Sequence, residues 1–205
     1  MSTYNGVVHE PADLRLVEEF LNTLDVRSFR RHGLDHVGGD ALPTPAALSR
    51  WLAGHGLVSR SARASTAELR IAHDLRTALR DAVTREQLDD QAFRRVNAVL
   101  TTMPVHVELA ADGELRLAGS AGAVPRALAD LLAIAVRHSA DGSWRRLRAC
   151  AAPDCRWVFY DDSRSGAGRW CSMASCGNRA KTARYRARRG AAPVRGGVRA
   201  AGHQP

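Results

Sequence analysis

The 205-residue sequence predicts a mainly α, α+β fold: a helical N-terminal domain with a small β-hairpin, followed by a cysteine-rich C-terminal module. Three observations predict it. Aromatic residues make up only 5% of the chain, so its core depends on Leu, Val and Ala, which favours helices over a β-sandwich. Apolar residues recur at helical spacing through residues 1–140. All four cysteines lie between Cys150 and Cys176.

Five helices are predicted in the first domain. The first begins at Pro11, and the second begins at Pro45 with Thr44 as its N-cap. Helical periodicity predicts three more over residues 65–83, 86–101 and 125–138, and the last is the most apolar. We expect no strict capping box where the third helix begins, and we expect a glycine-rich loop over residues 28–44.

One hairpin is predicted inside the helical domain. Apolar and polar residues alternate from Val105 to Ala118, and Asp112-Gly113 interrupts the alternation. An Asp-Gly pair between two alternating segments is typical of a tight hairpin turn. A chain break at Asp141-Gly142 then predicts a domain boundary.

The positive charge of the chain is concentrated near its C-terminus. The formal net charge is +9. Residues 144–199 contain 14 basic residues (Lys or Arg) and three acidic residues, whereas the rest of the chain contains 16 basic and 18 acidic residues. Clustered arginine suits phosphate, because a guanidinium is always charged and donates parallel hydrogen bonds, so a nucleic acid is the expected partner.

The cysteine spacing predicts a metal site. Cys150 and Cys155 are separated by four residues, Cys171 and Cys176 by four more, and 15 residues lie between the two pairs. Four thiolates from two loops suit a structural Zn²⁺ with no open coordination position. Two disulfides, a redox switch or an iron–sulfur cluster are the alternatives, although neither common cluster spacing matches.

The residues around the cysteines predict a treble-clef-like zinc finger. A strand over residues 156–161, a turn over 162–168 and a return strand over 169–171 are expected to separate the two cysteine pairs. A helix over residues 175–189 follows, with Ala180, Ala183 and Ala187 on one narrow face that is expected to pack on the zinc loop.

The remaining faces of this helix predict nucleic-acid contacts. The candidate residues are Asn178, Arg179, Lys181, Arg184, Tyr185, Arg186, Arg188 and Arg189. A helix fits the major groove of duplex DNA, and Arg reaches both phosphates and guanine edges. Asn178 and Arg179 have a second interpretation, because residues beside a metal ligand often support the metal loop. An RNA-binding zinc-ribbon-like module is the alternative, with Trp157, Phe159 and Tyr160 stacking on bases.

Residues 150–189 closely resemble the CGNR zinc-finger family, through Trp157-Val158-Phe159-Tyr160-Asp161, Arg169-Trp170-Cys171-Ser172-Met173 and Cys176-Gly177-Asn178-Arg179. The chain before them resembles the ABATE domain, through the segments of residues 20–25 and 48–57. The resemblance implies a stress-induced bacterial transcription regulator. It also implies DNA binding by the finger, and sensing or oligomerisation by the N-terminal domain.

The expected organisation is a sensor or oligomerisation domain over residues 1–140, a finger over residues 144–189 and a disordered tail over residues 190–205. The expected partners are double-stranded DNA, and either a small-molecule effector or a second copy bound through residues 1–140. No G-x-S-x-G, H-E-x-x-H or P-loop motif is present, so we expect no enzyme and no catalytic residue. With neither a signal peptide nor a membrane span evident, we expect a cytoplasmic, nucleoid-associated protein.

Overall fold

The computed structural model describes residues 3–4, 7–8, 10–31, 34–84, 89–103, 105–119 and 122–190. The expected start of the fourth helix at Glu86 lies outside these residues, as does the expected tail apart from Gly190. The chain divides into two compact units, Met1–Cys171 and Ser172–Pro205. Among the described residues, no helix combines the length and the apolar character that crossing a lipid bilayer requires.

The predicted helices are confirmed. The first unit contains α1 Ala12–Asn22, α2 Pro45–Gly54, α3 Thr66–Val83, α4 Asp90–Thr101 and α5 Ala123–Ala140. The second unit contains α6 Asn178–Gly190. The Thr44 side chain accepts a hydrogen bond from the Ala47 amide at 3.2 Å, as expected of an N-cap.

The start of α3 corrects one expectation, because it does have a capping box. The N-cap is Ser65, whose Oγ accepts from the Glu68 amide at 3.2 Å, while Glu68 Oε2 accepts from the Ser65 amide at 2.6 Å. With Ser65 as the N-cap, and not Thr66, Glu68 is the third helical residue, which is the spacing that this motif requires.

The described strands form four separate antiparallel pairs: β1 Thr3–Tyr4 with β2 Val7–Val8, β3 Leu24–Arg31 with β4 Leu34–Asp40, β5 Val105–Leu109 with β6 Leu115–Gly119, and β7 Leu147–Ala149 with β8 Val158–Tyr160. The β5–β6 pair is the hairpin that Asp112-Gly113 predicts. Its strands are in simple register, with Val107 opposite Leu117.

The expected loop over residues 28–44 is wrong, because most of it belongs to the β3–β4 hairpin. The register of this pair shifts between Asp25 and Ser28. The strands approach so closely there that a Cβ on Gly38 would lie 2.1 Å from the Asp25 carbonyl oxygen. Gly38 therefore marks an irregular strand pairing, not a loop.

The core of the first unit is built mainly from α1, α2, α3 and α5. Leu14, Val17, Phe20 and Leu21 of α1 are fully buried. They belong to one apolar cluster with α5, which is the apolar helix that the sequence predicts to be most buried. The guanidinium of Arg76, on α3, is also buried, and it donates to both carboxylate oxygens of Asp40.

The same core continues into the cysteine-rich region. Trp144, Leu147 and Val158 belong to the apolar cluster that contains α1. The Asn22 side chain, at the end of α1, donates to the Val158 carbonyl at 2.8 Å and accepts from the Val158 amide at 3.0 Å. Glu18 Oε2, one turn earlier, accepts from the Tyr160 amide at 2.9 Å. Strand β8 is therefore attached to α1 by side-chain hydrogen bonds as well as by apolar packing.

Glu18 gives this contact a pH dependence. Burial, reinforced by the neighbouring Glu10 carboxyl group, raises the pKa of Glu18 from 4.5 to about 8. A carboxyl group whose pKa is raised by folding favours the folded state least when it is ionised, so stability decreases as the pH rises from 4.5 towards 8.

We therefore expect Glu18→Gln to flatten this decrease and to raise the free energy of unfolding above pH 8, because the neutral amide oxygen still accepts from Tyr160. Urea unfolding between pH 5 and pH 9 measures the effect, with the exposed Glu114→Gln as the control. The same pH profile in Glu18→Gln and in the wild type would contradict this assignment.

Candidate metal centre and basic helix

The four cysteines form a compact cluster of sulfur atoms. The Sγ atoms of Cys150, Cys155, Cys171 and Cys176 all lie within 4.8 Å of one another. None of the four forms a disulfide, and the sulfurs of Cys155 and Cys171 are 3.7 Å apart. Cys150, Cys155 and Cys176 are buried, and Cys171 is half-buried.

This geometry fits a tetrahedral Zn²⁺ site. Zn–S bonds of about 2.3 Å place the sulfurs of a regular tetrahedron about 3.8 Å apart, and the 3.7 Å between Cys155 and Cys171 agrees with this. Bonded disulfide sulfurs lie only about 2.05 Å apart. When bound, Zn²⁺ would be held by Cys150, Cys155, Cys171 and Cys176, and it would crosslink the two cysteine loops without any open position for a substrate.

The first cysteine pair lies in the connection between β7 and β8. The Cys150 amide donates to the Trp157 carbonyl at 2.8 Å, and the Cys155 amide donates to the Ala152 carbonyl at 2.9 Å. Arg156 has a φ of +53°, a left-handed conformation that turns the chain out of the loop into β8. These bonds direct Cys150 and Cys155 towards one point.

The hairpin of the finger differs from the prediction. Part of the predicted strand over residues 156–161 exists as β8, but β8 pairs with β7. Residues 169–171, its expected partner, form no strand, although the Arg169 carbonyl accepts from the Ala151 amide at 2.8 Å. Burial of Leu147 and Val158 favours the β7 pairing, because it places both side chains in the core.

The turn after β8 is organised by Asp161. Its carboxylate accepts from the Gly168 amide at 2.6 Å and from the Ser163 amide at 3.1 Å. A Cβ at Gly168 would lie 2.7 Å from the same carboxylate, so this position requires glycine. Asp161 thus closes residues 162–168 into a compact turn that returns the chain to Cys171.

Cys176 lies in a π-helical turn, Met173–Gly177, that leads directly into α6. The Gly177 amide closes the turn on the Ser172 carbonyl at 3.0 Å. Arg179 Nη2, in the first turn of α6, donates to the Cys176 sulfur at 3.3 Å. This contact supports the interpretation of Arg179 as a residue that supports a metal ligand, whereas the neighbouring Asn178 is exposed.

A second arginine serves the cluster from β3. The Arg27 guanidinium lies 4.0 Å from the centre of the Trp157 ring and is paired with Asp25 at 2.7 Å. The hydrogen-bonded Asp25 carboxylate raises the pKa of Arg27, and the sulfurs of Cys155 and Cys171 raise it further. Four thiolates outweigh the charge of one Zn²⁺, so two nearby guanidiniums, Arg27 and Arg179, stabilise the centre.

Further contacts hold the first cysteine loop against the helical core. Arg80 of α3 donates to the Leu21 carbonyl at 2.7 Å and to the Arg156 carbonyl at 3.0 Å. The Ser28 amide of β3 donates to the Asp154 carbonyl at 2.9 Å. Sequence reasoning missed Arg27 and Arg80, because isolated arginines outside a motif carry no signal of a contact so distant in sequence.

The side chains of α6 are accessible. Arg179, the basic residue next to Cys176, is half-buried, whereas every side chain from Lys181 to Arg188 is exposed. The exposed candidates for nucleic-acid contact are Asn178, Lys181, Arg184, Tyr185, Arg186 and Arg188. The side chain of Arg189, the last candidate, lies outside the described part of the chain.

The expected alanine face is only partly present. Ala180 is half-buried, but Ala183 and Ala187 are exposed. The prediction that all three pack on the zinc loop is therefore wrong, because periodicity identifies a face but not whether anything covers it. The helix has no acidic residue to neutralise its arginines.

The three aromatic residues that the RNA-binding alternative uses are not open stacking platforms. Trp157, Phe159 and Tyr160 are all half-buried. Arg27 lies over the ring of Trp157, and Tyr160 packs against the apolar core.

Two family models match the chain. The CGNR zinc finger family model matches residues 146–189. The ABATE family model, described as "Putative stress-induced transcription regulator", matches residues 14–142. A search of the curated proteins returned no match.

We expect Cys171→Ser to lose zinc, since a hydroxyl group is a poor substitute for a thiolate. Amide exchange should accelerate through residues 144–189, while the apolar contacts among α1 to α5 keep those helices folded without the metal. Elemental analysis and hydrogen exchange measure both effects, with Ser172→Ala as the control. Stoichiometric zinc in Cys171→Ser would contradict the assignment of this ligand.

We expect Asn22→Asp to loosen β8, because the carboxylate keeps the bond from the Val158 amide but faces the Val158 carbonyl without a proton to donate. The free energy of unfolding should decrease by about 1–3 kcal/mol. Urea unfolding and amide exchange at Val158 and Tyr160 measure this effect. The control is Asn97→Asp on the exposed face of α4, and an equal effect in the two variants would contradict the proposed attachment.

Proposed function

The chain belongs to the ABATE family and carries a CGNR zinc finger, and from this we propose that it is a transcription regulator that binds double-stranded DNA through α6. In this proposal, residues 1–140 sense a signal or oligomerise, and residues 144–189 form the DNA-binding finger. The protein acts in the cytoplasm, at the nucleoid. Zinc has a structural role, and no enzymatic activity is proposed.

The observation that carries the proposal is the charge and exposure of α6. The helix contains six basic residues and no acidic one. Such charges repel one another at helical spacing, and a polyanion relieves the repulsion. The turn before the helix contains a zinc ligand, so the metal holds the start of the helix in a defined conformation.

The proposed contacts follow from the positions of the residues around the helix axis. Lys181, Tyr185, Arg188 and Arg189 lie on one side, with about 100° per residue, and suit the base edges of the major groove. Arg184 and Arg186 flank them and suit phosphates. In the proposal, Arg179 contributes to the phosphate contacts from its position beside Cys176. The exposed Asn178 suits adenine, because an Asn side chain can form two hydrogen bonds with that base.

The RNA-binding alternative has less support. Base stacking requires open aromatic faces. The half-buried rings of Trp157 and Tyr160, one under a guanidinium and one against the core, offer little open surface. These contacts favour duplex DNA as the partner.

The N-terminal domain has a physical route to the finger. Asn22, Glu18 and Arg80 bind the backbone of residues 156–160 directly. A signal that shifts α1 or α3 would therefore move the first cysteine loop. We propose this contact region as the path by which residues 1–140 influence DNA binding.

We expect the double variant Arg184→Ala/Arg188→Ala to weaken DNA binding, because it loses one proposed phosphate contact and one proposed base contact. The salt dependence should flatten by about one unit of log–log slope for the phosphate that Arg184 no longer neutralises. Fluorescence anisotropy with random duplexes at several salt concentrations measures the slope. The control is Arg94→Ala/Arg95→Ala on α4, which removes the same charge from another exposed helix. An unchanged slope in the α6 variant would remove α6 from the interface, and stronger competition by single-stranded RNA than by duplex DNA would favour the alternative.

A further inference from the structure

A cavity of about 630 Å³ lies beside α2 in the first unit. Ala46, Ala53 and Gly54, three small residues along one face of α2, leave the space open. The segment between α2 and α3 forms the opposite side and contributes Arg60 and Arg63. Its volume is within the range of about 300–1,000 Å³ that is typical of small-molecule sites.

Three arginine residues line this cavity. Arg50 comes from α2, and Arg60 and Arg63 come from the segment opposite. No acidic residue lines the cavity, and within the described ranges no carboxylate forms an ion pair with any of the three. Cations that converge on a concave surface without counter-charges of their own raise the local concentration of anions.

The cavity is held open by the fold of its loop. Ser49 donates to the Pro45 carbonyl at 3.0 Å and accepts from the Ala64 amide at 2.8 Å, which fastens the end of the loop to the middle of α2. Leu57 and Val58, at the beginning of the loop, pack against the core. Arg63 donates to the Arg60 carbonyl at 2.9 Å, so the positions of these two residues are linked. Because the loop is already ordered before a ligand binds, binding does not carry the entropic cost of ordering it.

We infer that this cavity binds a small organic polyanion, a phosphorylated or polycarboxylate metabolite, that acts as the effector of the N-terminal domain. Guanidinium groups bind both phosphate and carboxylate oxygens through paired hydrogen bonds. The alanine-lined wall accommodates the organic part of such a molecule, and the volume of the cavity suits a small ligand better than a duplex. The effector role rests on the regulatory function proposed above, but the binding itself does not require DNA.

Isothermal titration calorimetry on the zinc-loaded full chain, at constant ionic strength, tests the proposal with pyrophosphate and citrate as the probes. We expect saturable binding of at least one probe. Arg50→Gln and Arg60→Gln should each weaken it about tenfold, the effect of removing one charge-assisted hydrogen bond. Gly54→Leu should block binding of the probe. A Cβ at this position meets no heavy atom within 4 Å, so the leucine side chain can extend into the cavity. The charge-matched control Arg94→Gln, on α4, should bind like the wild type.

The outcomes separate this site from the DNA interface. Tighter binding of pyrophosphate would identify the effector as a phosphate compound, and tighter binding of citrate would identify it as a carboxylate. Anion binding that is unchanged in Arg184→Ala/Arg188→Ala would show that the cavity acts independently of α6. The inference is overturned if neither probe binds, or if Arg94→Gln weakens binding as much as Arg50→Gln. It is also overturned if Arg50→Gln impairs only duplex DNA binding, since the arginines would then serve the nucleic acid.

Discussion

The convergence of four cysteine sulfurs on one point is the constraint on which the finger depends. Residues 144–190 include few buried apolar side chains of their own, and a segment of this size needs a crosslink to hold one conformation. A single Zn²⁺ ties the loop after β7 to the turn before α6. The arginines at positions 27 and 179 offset the negative charge of the thiolates, so the protein surrounding the metal is adapted to an anionic centre.

The first half of the metal site is built into the helical core. Apolar contacts of Leu147 and Val158, together with the double hydrogen bond of Asn22, hold β7 and β8 against α1. In the function proposed above, these contacts would connect the part that receives a signal to the part that binds DNA. They are short polar contacts to backbone atoms, and such hydrogen bonds depend steeply on distance and angle.

Local signals in the sequence predicted local structure well. Thr44-Pro45 and Asp112-Gly113 each specify backbone geometry over a few residues, and the cysteine spacing identified the metal ligands without knowledge of the fold. The β3–β4 hairpin was missed, since its glycines permit a close strand approach that a sequence pattern cannot distinguish from a loop. The partner of β8 was also missed, because it depends on burial against α1. Contacts such as Arg80 with Arg156 join residues too distant in sequence for any periodic pattern to reveal.

The π-helical turn at Met173–Gly177 has a geometric consequence for recognition. The metal would fix Cys176, and α6 starts two residues later. The position of this one sulfur atom therefore determines the direction in which each side chain leaves the helix axis. Inserting or deleting a single residue between Cys176 and Arg184 would turn the side chains beyond it by about 100°. The number of residues between the Cys176 ligand and the exposed side chains of α6 therefore determines the direction in which each of those side chains points.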